Sequence, residues 1–170
     1  YEIRPRDWSS DVCSSDLGAE RFADRAHDVG VDGVLVLDLP IEEADDFRGL
    51  LTRHGIDTIL LLSPTTTDAR MAHAATLGSG FLYAISRLGV TGARDTLADG
   101  AEAMVQRIRG VTSLPVALGF GISKPEHVRE VGRWADAAVV GSALVDVIAR
   151  SATSGDVAAR VEEYVRWLKS

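Results

Sequence analysis

From residue 18 onward, the chain alternates between two hydrophobic rhythms. Residues 18–29 place Phe22, Ala26 and Val29 at i, i+4 and i+7, the spacing of one helix face. Residues 33–39, G-V-L-V-L-D-L, form a near-continuous apolar run that predicts a strand buried on both faces, and Pro40 blocks its continuation. Residues 42–54 return to helical spacing, with Ala44, Phe47, Leu50 and Leu51 on one stripe and carboxylates near the start. The same alternation then repeats. Strands are predicted at 57–62, 80–85, 114–118 and 136–140, and helices at 68–77, 97–109, 142–148 and 156–168. Thr67 is placed to cap the helix at 68, and Ser123-Lys124-Pro125-Glu126 reads as a capping box with proline in the first turn of one more helix.

Five strands each followed by a helix predict an α/β protein with a parallel sheet and right-handed crossovers. An open doubly wound sheet and part of a closed barrel fit this pattern equally well. The motifs must decide between them.

Composition narrows the class. With 170 residues, 46% hydrophobic and 25% charged, the chain is long enough for one domain with a real core. A net charge of −7 argues against nucleic-acid or anionic-membrane partners. No apolar run reaches membrane-spanning length, and residues 1–17 lack the apolar stretch of a secretory leader, so the cytoplasm is the expected location. Residues 6–17, R-D-W-S-S-D-V-C-S-S-D-L, have neither helix nor strand period and read like a translated sequencing-adapter oligonucleotide. We therefore expect residues 1–17 to be non-native and 18–170 to form the folded domain. An ordinary disordered polar N-terminus is the alternative. The only cysteine, Cys13, lies in that stretch, which leaves no disulfide framework and no thiolate metal site.

The chemistry concentrates at glycine turns. Residues 118–123, L-G-F-G-I-S, and 139–143, V-V-G-S-A, each end an apolar run at glycine and lead into a helix. Glycine permits close backbone approach and φ > 0, and a helix N-terminus offers free N–H groups and a positive dipole end. Two such turns on neighbouring strands make a phosphate cradle from main chain alone, as after strands 7 and 8 of many barrels. The competing reading is that these glycines only end strands.

Five landmarks occur in order: G-V-D-G-V-L-V-L-D-L-P-I-E-E from Gly30, L-L-S-P-T-T from Leu61, Y-A-I-S-R-L-G-V-T-G from Tyr83, L-G-F-G-I-S-K-P-E from Leu118 and V-V-G-S-A-L-V from Val139. Together they resemble the second part of the tryptophan synthase α-subunit family, S-R-L-G-V-T-G being the most specific. The resemblance implies a partial (β/α)8 TIM barrel of about five βα units, corresponding to strands 4 to 8. It implies a carbon–carbon lyase that cleaves indole-3-glycerol phosphate to indole and glyceraldehyde 3-phosphate. The indole then passes to a β-subunit partner that carries pyridoxal phosphate, the α-subunit having no cofactor of its own. The family's catalytic carboxylates fall in the part not matched, so no catalytic residue is assigned, and the chain alone is expected to be inactive.

By the same resemblance Gly92, Gly119, Gly121, Gly141 and Ser142 bind phosphate, and Thr91 gates a loop hinged at Gly89 and Gly92. Tyr83, Phe120, Leu35, Leu37, Leu61 and Ile85 line an apolar pocket for the indole ring, although barrel core is an equal reading for the aliphatic four and, without the resemblance, the better one for Tyr83 and Phe120. Asp38 ends a strand where barrel chemistry happens, yet it also suits a turn cap or a partner contact. His27, His54, His73 and His127 share no metal-ligand spacing and read as solvated. Glu42, Glu43, Asp45 and Asp46 read as an exposed acidic helix face. Two other functions compete: another phosphate-binding barrel enzyme, such as a sugar-phosphate isomerase or a thiamine-phosphate-synthase-like enzyme, and a phosphate-binding or partner-docking remnant without catalysis.

Overall fold

The computed structural model describes residues 17–37, 40–86, 100–119, 121–152 and 155–170. In chain order these form α1 (Ala19–Asp28), β1 (Gly33–Leu35), a 3-10 turn (Ile41–Glu43), α2 (Asp45–Arg53), β2 (Asp57–Leu62), α3 (Asp68–Leu77), β3 (Leu82–Ile85), α4 (Ala101–Arg109), β4 (Val116–Gly119), α5 (Pro125–Val131), β5 (Ala137–Val139), α6 (Ser142–Ser151) and α7 (Val157–Leu168). The five strands are parallel and lie in sequence order, with no switch point at which the order reverses. Sequential order with a helix after every strand is the winding of a (β/α)8 barrel, and five of its units are present.

The sheet register sorts side chains onto two faces. Leu60, Leu82 and Val116 are aligned across β2, β3 and β4, as are Leu62, Ala84 and Leu118. All six are buried in the main core, packed with Met71, Ala74 and Leu77 of α3 and Met104, Val105 and Ile108 of α4. A smaller cluster joins Ala23 and Ala26 of α1 to Leu50 and Leu51 of α2 and to Ile56, with Phe22, Val34 and Phe47 at its margin. The opposite face carries Leu61, Tyr83, Ala117 and Ala137 in one row and Ile85, Gly119 and Val139 in the next. None of these seven belongs to either cluster.

Several elements differ from expectation. Within the described part of 33–39 the first strand extends over Gly33–Leu35 and not through residues 36 and 37, and it is exposed to half-buried, not buried on both faces. Among the described residues β1 pairs only with β2. The helix expected at 42–54 is broken at Ala44. Glu43 and Ala44 donate to the carbonyls of Pro40 and Ile41, three residues back, which gives a tight turn before α2 starts. The capping box fails too, because Lys124 and not Ser123 is the N-cap of α5, with Pro125 as its first residue. Thr67 does cap α3, its hydroxyl accepting from the Arg70 N–H at 3.4 Å.

Candidate functional site

Two turns leave the C-terminal ends of adjacent strands. Gly119 of β4 is aligned with Val139 of β5, so Gly121 and Gly141 each lie two residues beyond that pair. Gly121 has φ +82°, a left-handed conformation that side chains disfavour. Gly141 is the N-cap of α6, and its carbonyl accepts from Leu144 N–H at 2.9 Å and Val145 N–H at 3.1 Å. The first amides of α6, at Ser142 and Ala143, therefore stand at the positive end of a ten-residue helix without intrahelical acceptors. A Cβ built on Gly141 would meet nothing within 4 Å, so the space in front of this backbone is open.

Gly119 is held differently. A Cβ there would overlap the Tyr83 hydroxyl and come within 2.6 Å of the ring carbon Cζ. The glycine makes room for the tyrosine, which reaches over it from β3 across the open face. Its carbonyl accepts from Ser86, at 3.3 Å from N–H and 3.4 Å from the hydroxyl, and Ser86 is buried. Burial pushes the Tyr83 phenol above its ordinary pKa, so it stays neutral.

The loop between Gly121 and α5 is braced by two side chains that the sequence pattern did not single out. His127 is buried, and its Nδ1 accepts from the Ser123 N–H at 3.3 Å. It takes the reach-back role expected of Glu126 and is not the solvated histidine expected from its helix position. Tyr164 of α7 donates its hydroxyl to the Ser123 carbonyl at 2.9 Å. Both act on the backbone that positions Gly121.

Of the expected pocket residues, Leu35, Leu61, Tyr83 and Ile85 are half-buried. The register puts Leu61, Tyr83 and Ile85 on the face turned away from both core clusters, with Leu35 paired to Ile59 on that same face. Leu37 is 61% exposed. Together with Leu61 it lines a cleft of about 310 Å³ at the ends of β1 and β2, whose polar wall includes Ser63, Thr66 and Arg70. Leu35, Tyr83 and Ile85 do not line that cleft. Asp38, Gly89, Thr91, Gly92 and Phe120 lie outside the described residues.

Glu42, Glu43, Asp45 and Asp46 are exposed, as expected of an acidic face, with Glu42 paired to Arg70 and Asp45 to Arg48. His27 and His73 are exposed, but His54 is half-buried in a hydrogen-bonded cluster, which corrects its reading as solvated. Among the described residues, no group of three or more His, Cys, Asp or Glu is placed to hold a metal ion, and no helix is long and apolar enough to cross a membrane.

The winding thus defines a barrel-type α/β protein, with paired glycine turns at the C-terminal ends of two adjacent strands. Comparison with known proteins narrows this further. A family model described as tryptophan synthase alpha chain matches residues 14–170. The tryptophan synthase alpha chain of Roseiflexus sp. (strain RS-1) is 46% identical over 152 residues, which cover 89% of this chain and 58% of that one. That of Methylococcus capsulatus is 50% identical over 133 residues, covering 78% and 50%. A structure of the tryptophan synthase a2b2 complex from Pyrococcus furiosus superposes with a TM-score of 0.83 at 35% identity, covering 91% of this chain and 62% of that one. The chain belongs to the tryptophan synthase alpha chain family, and it spans 50–58% of the length of these two curated relatives.

Proposed function

We propose that this chain forms the phosphate-binding and ring-facing side of a cytoplasmic carbon–carbon lyase that cleaves indole-3-glycerol phosphate to indole and glyceraldehyde 3-phosphate. The observation that carries the reading is the pairing of two turns with one open face. Gly121 and the N-terminus of α6 leave neighbouring strands at the end where the sheet carries the half-buried Leu61, Tyr83 and Ile85. Main-chain amides and a helix dipole suit a phosphate ester, and a flat apolar face with few polar groups suits an indole ring. Gly119 serves this arrangement by admitting the Tyr83 ring.

Cleavage breaks the bond from indole C3 to the glycerol phosphate carbon. The electron pair returns to the ring, C3 takes up a proton, and the neighbouring hydroxyl loses one as the aldehyde forms. Both transfers need a positioned acid or base. No carboxylate in the described residues is assigned to either, so the chain by itself binds and does not turn over. In the assembled enzyme the indole passes to a β-subunit, whose pyridoxal phosphate supports its joining to serine. This reading gives the chain no cofactor of its own.

The test measures binding of indole-propanol phosphate by calorimetry, and release of indole from indole-3-glycerol phosphate with and without β-subunit. Binding without turnover is expected, and Gly121→Asp abolishes it by placing a side chain and a negative charge in the cradle. Unchanged affinity in that variant would reduce the glycines to strand-ending turns. Turnover that vanishes on Asp38→Asn would show that a catalytic carboxylate is present after all.

A further inference from the structure

His54 closes α2 and faces α1. Its Nδ1 lies 2.9 Å from the Leu50 carbonyl oxygen, and its Nε2 lies 2.9 Å from Oδ1 of Asp24 on α1. Both partners are acceptors only, so both contacts are hydrogen bonds only when both ring nitrogens carry hydrogen, which is the imidazolium form. His27 of α1 approaches the same corner, its Nδ1 2.8 Å from the His54 carbonyl oxygen, with the two rings 6.1 Å apart. That bond needs only one N–H, on Nδ1, which the imidazole ring can carry without being charged. One proton, on His54, therefore completes the whole set.

We propose that His54 is a proton-dependent latch that ties α1 to α2. As imidazolium it donates to Asp24 across the helix interface and to Leu50 within its own helix. On deprotonation one of the two bonds is lost, and the charge that attracts Asp24 goes with it. The charged and titratable groups facing it are Asp24 and His27 on α1 and Arg53 beside it on α2. The Leu50 carbonyl and the Asp24 carboxylate hold its pKa above the ordinary 6.5, against the smaller opposing effects of partial burial and Arg53. The sign follows from linkage. The latch is fully closed below about 6.5, the unfolded value, and opens as pH rises through the higher folded value. Its leverage comes from location, because α1 covers the small cluster of Ala23, Ala26, Leu50 and Leu51, which is separate from the main core.

The test follows backbone amide hydrogen exchange of the full chain between about pH 5.5 and 8.5, corrected for intrinsic rates, with α4 as internal reference. Exchange in α1 is expected to accelerate about three- to tenfold relative to α4 across this range, the worth of one hydrogen bond. Asp24→Asn keeps an acceptor without the charge and should shrink the pH dependence, and His54→Gln should abolish it. Nitrogen chemical shifts of the wild-type ring provide a reading that needs no variant, with both nitrogens protonated at about pH 6. A neutral ring at that pH would overturn the proposal. So would α1 protection that parallels α4 throughout, or a pH dependence that survives His54→Gln.

Discussion

Gly119→Ala separates two roles a glycine can play at the end of a strand. The added Cβ would stand 2.6 Å from Cζ and 2.7 Å from Cε2 of Tyr83, and would overlap the hydroxyl. Carbon atoms settle at about 3.5–4.0 Å, so the ring must retreat by roughly 1 Å or swing off the face. Retreat is resisted on one side because β3 and β4 are bonded neighbours in fixed register. Overpacking of this kind costs about 1–3 kcal/mol. For a chain of this size, that lowers the melting temperature by about 2–4 °C per kcal/mol.

The assay is a double-mutant cycle in urea, read by circular dichroism, with Gly119→Ala, Tyr83→Leu and both together. Loss of the ring removes the clash, so the double variant should be more stable than additivity predicts by about 1 kcal/mol or more. The same samples are titrated with indole-propanol phosphate. If Gly119 instead served only close approach of phosphate to backbone, Gly119→Ala would melt like wild type, the two substitutions would be additive, and only affinity would fall. That result would refute the packing argument.

Two contrasts follow from the same geometry. Gly121→Ala should cost about 1–2 kcal/mol in urea denaturation because φ +82° is strained for any side chain, whereas Gly141→Ala, where a Cβ meets nothing within 4 Å, should cost less, about 0.5–1 kcal/mol for the exchange of a glycine N-cap. Asp136 accepts from Val116 N–H at 2.8 Å and from Arg109 at 2.9 Å, and these donors, the amide foremost, hold its carboxyl below its ordinary pKa. Its stabilisation is complete above the unfolded value of 3.8 and is lost as pH falls through the lower folded value, so the melting-temperature gap between wild type and Asp136→Asn should be largest near neutrality and close in acid.

The sequence disclosed the elements best where local chemistry and tertiary context agree. Strand Asp57–Leu62 and helix Asp68–Leu77 occur at the predicted residues. The first lies between two bonded neighbours, and the second has a threonine at its cap. The reading of β1 failed because an apolar run does not reveal how many neighbours a strand will have. Ser123 and Glu126 have the residue types of a capping box, but Pro125 sets the first helical position, and His127 then has the reach to the Ser123 N–H. The Tyr164 bond to Ser123 spans 41 residues and leaves no trace in periodicity. Glycines were visible as a class, yet the difference between Gly119, filled by a neighbour's ring, and Gly141, open in front, exists only in three dimensions.

That difference also explains how the open face is graded. Across the row Leu61, Tyr83, Ala117 and Ala137, side-chain size falls from β2 and β3 to β4 and β5. The next row passes from Ile85 through Gly119 to Val139. In the first row the large side chains stand on β2 and β3 and the alanines on β4 and β5. The helix-facing side of the same strands shows no such grading in its filling. Leu60, Leu82 and Val116 are all buried against helices, because that side only has to pack. On β2, β3 and β4 one face packs against helices, and on the other Gly119 yields its space to the Tyr83 ring, so packing between neighbouring strands sets residue size there as well.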